Sequence, residues 1–179
     1  MSNIIILAGS ERKDGNTDML VDVFKKGAAK KNKVEVISVR SHDINPCIGC
    51  NSCFTRLGNE CFQKDDMQMV YEKLKTADVL VIASPVYFYG ISAQLKAIID
   101  RLHTPMRNEF PIKKLALILV GAATLPELFD SIKLQYKLVL SFFHLEDAGM
   151  VLVQGAKDIG DVKNTDGLDR AYELGLSIG

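Results

Sequence analysis

Five short, mostly apolar runs divide this chain, and segments whose apolar residues recur at helical spacing lie between and after them. The runs predict β-strands at Ile4 to Ala8, Val34 to Val39, Asp78 to Ala83, Leu115 to Gly121 and Met150 to Val153. The other segments predict helices over 17–31, from 65, from 92, over 124–143 and over 168–178. Short runs that are apolar throughout are typical of strands covered on both faces, as in a parallel sheet.

The alternation of strands and helices predicts an α/β fold, with helices on both faces of one parallel sheet. Five strands fit the doubly wound order 2-1-3-4-5, whose switch point lies between strands one and three. The length suits one domain, and no linker divides residues 1–179. This order places the loops after strands one and three side by side, where a ligand is expected.

Three helix starts are predicted from capping residues. Asp65 with Gln68, and Thr124 with Glu127, have the spacing of a capping box, and Ser92 can cap the helix between them. The helix over residues 125–143 carries more large apolar residues than one stripe accounts for. It is therefore either deeply packed or part of a subunit interface.

The loop between the first strand and the first helix combines glycines with hydrogen-bond donors. A helix N-terminus offers unpaired N–H groups and a partial positive charge, so this arrangement is typical of a phosphate site. The candidate phosphate-binding residues are Ser10, Arg12, Gly15, Asn16 and Thr17. The loop lacks the G-K-[ST] ending of a triphosphate loop and the G-x-G-x-x-G of a dinucleotide site, which favours a single phosphate monoester. The alternative is a polar surface loop capped by Thr17.

The loop after the third strand, residues 84–90, contains three consecutive aromatic side chains. Its candidate binding residues are Pro85, Val86, Tyr87, Phe88, Tyr89 and Gly90. Three adjacent aromatic side chains cannot all enter the same core, so this loop is predicted to cover a flat heteroaromatic ring attached to the phosphate. Ordinary core packing is the alternative.

All four cysteines lie in a segment without a clear period, residues 40–63. Cys47, Cys50, Cys53 and Cys61 have the spacing C-x2-C-x2-C-x7-C. Thiolates this close in sequence can hold an iron–sulfur cluster or a tetrahedral metal ion. The last interval is longer than in ferredoxins and Phe62 stands where their proline would be, so zinc and free thiols are alternatives.

Composition narrows the classes of partner. Lys plus Arg and Asp plus Glu both number 22, so the formal net charge is zero. This balance removes the electrostatic case for binding nucleic acid or an anionic membrane. No apolar run reaches membrane-spanning length and no basic segment precedes the first run, so we expect a cytoplasmic protein.

Three stretches together resemble a known family. G-S-E-R-K-D-G-N-T at 9–17 is similar to the phosphate loop of the NADPH-dependent FMN reductase and multimeric flavodoxin families. S-P-V-Y-F-Y-G at 84–90, with the helix that follows, resembles their isoalloxazine loop. The cysteine spacing followed by K-D-D-M resembles the iron–sulfur flavoprotein branch. The resemblance spans about residues 3–121.

This resemblance implies a flavodoxin-like fold that binds FMN, with residues 10–17 around the phosphate and 85–90 around the ring. It implies an NAD(P)H-dependent oxidoreductase that passes electrons to a quinone, a flavin or a similar acceptor, with no catalytic acid–base residue assigned. It also implies a homodimer or homotetramer. The alternative is an electron carrier whose four cysteines hold a 4Fe–4S cluster and whose partner is a redox protein. A flavin-binding regulatory module is a third hypothesis.

Overall fold

The computed structural model describes residues 1–178; Gly179, the last residue of the predicted domain, lies outside the described residues. The strands are β1 Asn3–Ala8, β2 Lys33–Ser38, β3 Val79–Tyr87, β4 Gly90–Ile91, β5 Lys114–Val120 and β6 Glu146–Val153. The helices are α1 Asn16–Ala28, α2 Ser52–Thr55, α3 Met67–Leu74, α4 Ala93–Arg101, α5 Asp130–Phe143 and α6 Gly167–Ser177. Short 3-10 turns lie at Val39–Ser41, Leu57–Asn59, Pro105–Glu109 and Asp161–Asn164.

Five strands are parallel and follow the order β2-β1-β3-β5-β6, while β4 pairs antiparallel with β3. The predicted α/β class is confirmed. The described residues form six strands rather than five, and the predicted order 2-1-3-4-5 becomes 2-1-3-5-6 once β4 is counted. Ala8 of β1 pairs with Ser38 and with Ala83, so the chain leaves β1 and β3 at the same edge of the sheet.

The sheet is covered on both faces because successive side chains of each strand point in opposite directions. Leu7 and Leu80 belong to the core that α3, α4 and α5 cover. Ile6 and Val81 belong to the core that α1 and α6 cover. Both faces of the central strands are therefore buried, which explains why these strands are apolar throughout.

Helices α1 and α6 cross in backbone contact through two glycines. A Cβ added to Gly175 would lie 2.2 Å from the carbonyl oxygen of Phe24, and one added to Gly27 would lie 2.3 Å from that of Tyr172. Real Cβ atoms do not approach backbone so closely. The close crossing therefore depends on the missing side chains and ties the C-terminal helix to α1.

Helix α3 begins at Met67 and not at Asp65, so the capping box predicted there is wrong. Gln68 does not reach back toward the helix start; its side chain donates to Glu72 Oε1 at 3.3 Å. Asp65 accepts from the N–H of Met67 at 3.2 Å, but its other carboxylate oxygen is held by Arg101. A long-range ion pair thus replaces the local capping pattern.

Helix α5 begins at Asp130, so the capping box predicted at Thr124 and Glu127 does not start it. Its buried residues are Ile132 and Tyr136. Its outer side carries an apolar stripe at helical spacing, with side chains 60, 63 and 49% exposed at Leu134, Leu138 and Phe142. Deep packing therefore does not account for the apolar content of this helix. Among residues 1–178, no helix combines the length and apolar character needed to cross a bilayer.

Candidate functional site

The loop after β1 turns sharply against the start of α4. The N–H of Gly9 donates to the carbonyl of Ala83 at 2.8 Å, which continues the pairing of β1 with β3 beyond the last strand residue. A Cβ on Gly9 would lie 2.8 Å from the Cβ of Leu95 and from the Oγ of Ser92. Glycine is therefore needed here for close packing, and the loop leaves the sheet directly above its edge.

Ser10 and Arg40 fix the shape of this loop. The Ser10 hydroxyl is buried; it accepts from the N–H of Arg12 and donates to the Arg12 carbonyl, both at 3.2 Å. The Arg40 guanidinium donates to the carbonyls of Ser10 and Arg12 at 2.8 and 2.9 Å and forms an ion pair with Asp18 at 2.9 Å. Sequence reasoning missed Arg40, because it follows β2 and reaches the loop only through the fold.

The start of α1 offers free donors. Gly15 is the residue before the helix and is extended, and in the part of the chain that the structure describes no side chain caps α1; the suggestion that Thr17 is the cap is therefore wrong. Across residues 1–178, the N–H groups of Asn16 and Thr17 and the Thr17 hydroxyl find no hydrogen-bond partner. Thr17 is only 2% exposed. These donors, with the positive end of the helix dipole, are suited to an anion.

The Asn16 side chain is fully occupied by hydrogen bonds to the backbone of residues 156–162. Its Nδ2 donates to the carbonyls of Ala156 and Asp158 at 3.3 and 2.8 Å. Its Oδ1 accepts from the N–H groups of Gly160 and Val162 at 2.9 and 3.3 Å. Asn16 therefore holds the loop between β6 and α6 beside the candidate phosphate loop, and its backbone N–H is the group left for a ligand.

A cavity of about 170 Å³ lies between these loops. Eight of the eleven predicted binding residues line it: Ser10, Arg12, Gly15, Asn16, Thr17, Pro85, Val86 and Tyr87. Four further lining residues come from the end of β5 and from the loops after β5 and β6, and sequence analysis had not named them as binding residues: Val120, Ala122, Ala156 and Lys157. The two predicted loops thus meet at the switch point of the sheet, as the strand order requires.

The remaining three predicted residues, Phe88, Tyr89 and Gly90, lie in the hairpin between β3 and β4 and outside this cavity. Phe88 and Tyr89 both have positive φ, 47° and 64°, and Phe88 is 98% exposed. Such φ values are strained for bulky side chains. The Ser131 hydroxyl at the start of α5 donates to the Tyr89 carbonyl. The turn of this hairpin therefore exposes Phe88 to solvent and is tied to the start of α5.

The cysteines lie in a long loop whose two ends are joined. The N–H of Asp66 donates to the carbonyl of Asp43 at 3.1 Å, and the N–H of Asp43 donates to Asp66 Oδ2 at 2.8 Å. Hydrogen bonds from Ser52, whose Oγ lies 2.9 Å from Cys50 Sγ, lower the pKa of the Cys50 thiol. A lower pKa increases the thiolate fraction, which is the form that binds metals.

All four thiols are free, and all four residues line one cavity of about 150 Å³: Cys47, Cys50, Cys53 and Cys61. Tyr71, Arg101 and His103 contribute to the same wall. Burial raises the pKa of Tyr71 to about 12, so its phenol stays protonated and donates to the carbonyl of Arg101 at 2.9 Å. Within residues 1–178, no three His, Cys, Asp or Glu side chains converge closely enough to hold a metal ion. The thiols would have to draw together to ligate one.

The doubly wound sheet, with a donor-rich loop and helix start at its switch point, defines a flavodoxin-like α/β protein. A model of the family described as NADPH-dependent FMN reductase matches residues 2–156, and the chain belongs to that family. Over 190 aligned positions it is 33% identical to an iron–sulfur flavoprotein of Methanocaldococcus jannaschii, covering 98% of this chain and 94% of that protein. The family predicted from sequence, and the oxidoreductase class, are confirmed.

Solved structures share the fold at low sequence identity. An NAD(P)H:quinone oxidoreductase from Methanothermobacter marburgensis superimposes with a TM-score of 0.76 at 15% identity, covering 99% of both chains. An FMN-dependent NADH-azoreductase from Bacillus anthracis, in complex with FMN, gives a TM-score of 0.68 at 15% identity, covering 98% of both chains. These similarities establish the flavodoxin-like fold.

Proposed function

We propose that this protein is an FMN-dependent oxidoreductase that oxidises NAD(P)H and reduces a quinone, a flavin or a similar acceptor. The observation that carries the proposal is the start of α1, where two N–H groups and the Thr17 hydroxyl lie beside a cavity and have no hydrogen-bond partner within residues 1–178. Unpaired donors at a helix N-terminus are the chemistry that a phosphate monoester requires. Membership of the FMN reductase family supports FMN as the molecule that carries this phosphate.

The residues present fit FMN. Ser10, Gly15 and Thr17, with the Arg12 guanidinium at the rim, would surround the phosphate, while Arg40 holds the loop in shape. Residues 85–87 would lie beside the ring, and the hairpin at 88–90 would cover it from the solvent side. Bound FMN would supply the redox chemistry, accepting a hydride at its N5 and releasing electrons in pairs or singly. The chain's own contribution is to bind, orient and shield.

Flavin titrations test this proposal. We expect FMN to bind much more tightly than riboflavin, because only FMN carries the phosphate. Arg12→Gln should weaken FMN binding, whereas Lys13→Gln, the matched change at a neighbouring residue that does not line the cavity, should not. The FMN-loaded protein should oxidise NADPH or NADH in the presence of a quinone. Equal affinity for FMN and riboflavin would contradict the phosphate assignment.

A second function is proposed for the cysteine segment, namely one-electron transfer through a 4Fe–4S cluster to a protein partner. Four thiols that line one cavity support it, and so does the relative named as an iron–sulfur flavoprotein. The donor set suits such a cluster, and a bound cluster would supply one-electron steps. Anaerobically prepared wild-type protein should contain iron and acid-labile sulfide, and the Cys50→Ser variant should contain less of both. Zinc in both aerobic and anaerobic protein would instead indicate a structural metal.

We also propose that the chain forms a homodimer or homotetramer through the exposed stripe of α5. Leu134, Leu138 and Phe142 share one side of this helix and contribute little to the core of their own subunit. Exposed apolar stripes of this kind are typical of subunit interfaces. A second copy of the chain would cover them. The predicted cytoplasmic location stays a prediction.

A further inference from the structure

A buried ion pair holds together the two ends of the cysteine loop, at Asn45 and Asp65, which we call its neck. Arg101, the last residue of α4, forms an ion pair with Asp65 at 2.5 Å, and both side chains are almost fully buried. Arg101 Nη1 also donates to the carbonyl of Asn45 at 3.1 Å, and Asp65 Oδ2 accepts from the N–H of Asn45 at 2.9 Å. One side chain therefore binds both ends of the segment that carries the four cysteines.

The same guanidinium has an unused donor. Arg101 is 4% exposed, and within residues 1–178 its Nε is a buried polar atom without a hydrogen-bond partner. Buried N–H groups are nearly always paired, and an unpaired one is unfavourable. Arg101 also lines the cavity shared by the four cysteines. The sulfur atoms of those cysteines are therefore the candidate acceptors for the Nε–H.

Charge supports a persistent guanidinium at this position. Although burial alone opposes ionisation, the hydrogen bond and charge of Asp65, with a smaller contribution from Cys61, keep the pKa of Arg101 above its ordinary value. Burial likewise opposes the ionised form of Asp65, but the hydrogen bond from Arg101 keeps the pKa of that carboxyl below its ordinary value. The ion pair is therefore charged at neutral pH.

We propose that Arg101 is the positioning residue of the cysteine site: its Nη1 fixes the neck of the loop, and its Nε–H donates to sulfur of the group that the cysteines hold. This inference rests on the proposed cluster. Hydrogen bonds to sulfur stabilise the more negative, reduced form of a cluster and so raise its reduction potential. Lysine can replace the charge but not the planar set of guanidinium donors.

Helix α4 also links the two sites. Its first turn is capped by Ser92, whose Oγ accepts from the N–H of Leu95 and whose own N–H donates to Ser84 Oγ in β3 at 3.0 Å. The helix then runs roughly 13 Å, at 1.5 Å per residue, to Arg101. Arg101 thus anchors the cysteine segment to α4, the helix that follows the loop at residues 84–90, which is predicted to cover the flavin ring.

The test compares Arg101→Lys with wild type in anaerobically reconstituted protein, with Arg170→Lys, at a surface ion pair, as the matched control. We expect Arg101→Lys to keep its iron and sulfide content. Its cluster potential should become more negative by about 59 mV, which is a tenfold change for a one-electron couple. Arg170→Lys should match wild type. Unchanged potential in Arg101→Lys would overturn the sulfur-donor role.

Hydrogen exchange separates the two roles of Arg101. Asp65→Asn leaves the Nε–H of Arg101 in place but breaks the ion pair between the two side chains. The backbone amides of residues 43–66 should therefore exchange about tenfold faster than in wild type. Unchanged exchange in this variant and in Arg101→Lys would overturn the neck role. If wild type takes up no more iron than Cys50→Ser, the cluster function fails and the sulfur-donor role fails with it. In that case the hydrogen-exchange data still test whether Arg101 holds the two ends of the cysteine loop together.

Discussion

Replacement of Asn16 by alanine tests whether this side chain positions a loop or binds the ligand directly. Its amide makes four hydrogen bonds to residues 156–162, two of them at 2.8 and 2.9 Å and two at 3.3 Å. Each such bond contributes about 0.5–1.5 kcal/mol net, and the site is partly open to solvent, so the loss should be about 2 kcal/mol. For a chain of this size that corresponds to a decrease of roughly 4–8 °C in the melting temperature.

The assay combines thermal unfolding, flavin titration and hydrogen exchange of residues 156–162. We expect Asn16→Ala to be less stable, to exchange faster in that loop, and to bind FMN more weakly because Ala156 and Lys157 no longer hold their places in the cavity wall. Asn164→Ala is the control, since Asn164 is exposed in the same region. Weaker FMN binding with unchanged stability and unchanged exchange would show that the Asn16 side chain contacts the phosphate, and would refute the positioning role.

Three further predictions follow from other parts of the structure. Thr17→Ala should weaken FMN binding about tenfold, as expected for the loss of a hydrogen bond to a charged group, with no effect on riboflavin binding; an equal loss for both flavins would contradict this. Gly175→Ala should lower the free energy of unfolding by about 3 kcal/mol, because the new Cβ would clash with the Phe24 carbonyl. Denaturant unfolding measures this loss, and a variant as stable as wild type would contradict the close crossing of α1 and α6. Leu138→Gln should lower the mass measured by sedimentation at micromolar concentration, whereas Lys137→Gln should not; an unchanged mass in both would remove α5 from the interface.

The first loop and the strand order were predictable because their signals are short in range. Strand β1, the loop and the start of α1 are consecutive in sequence, and a glycine at position 9 or 15 is informative without knowledge of the rest. The doubly wound order then follows from the alternation of elements and the handedness of crossovers. These two facts were enough to bring residues 10–17 and 85–87 to one cavity.

The contacts that sequence analysis missed are long in range. Arg40 reaches the first loop from the end of β2, and the loop after β6 reaches Asn16 across more than half the chain. Asp65 has the local spacing of a capping residue, yet its carboxylate is taken by Arg101. The turn at Phe88 and Tyr89 lacks the Asn-Gly signature of such hairpins, so no local pattern marked the additional strand β4.

The closed ends of the cysteine loop make that segment exchangeable. Because Asp43 and Asp66 already bond to each other, the chain enters and leaves the segment at one point of the fold. Insertions, deletions or a different set of ligands between these residues need not alter the register of the sheet, since a surface loop whose ends are fixed tolerates changes in length. The side chains that this segment presents can therefore change through one loop, while the crevice at the switch point of the sheet stays the same.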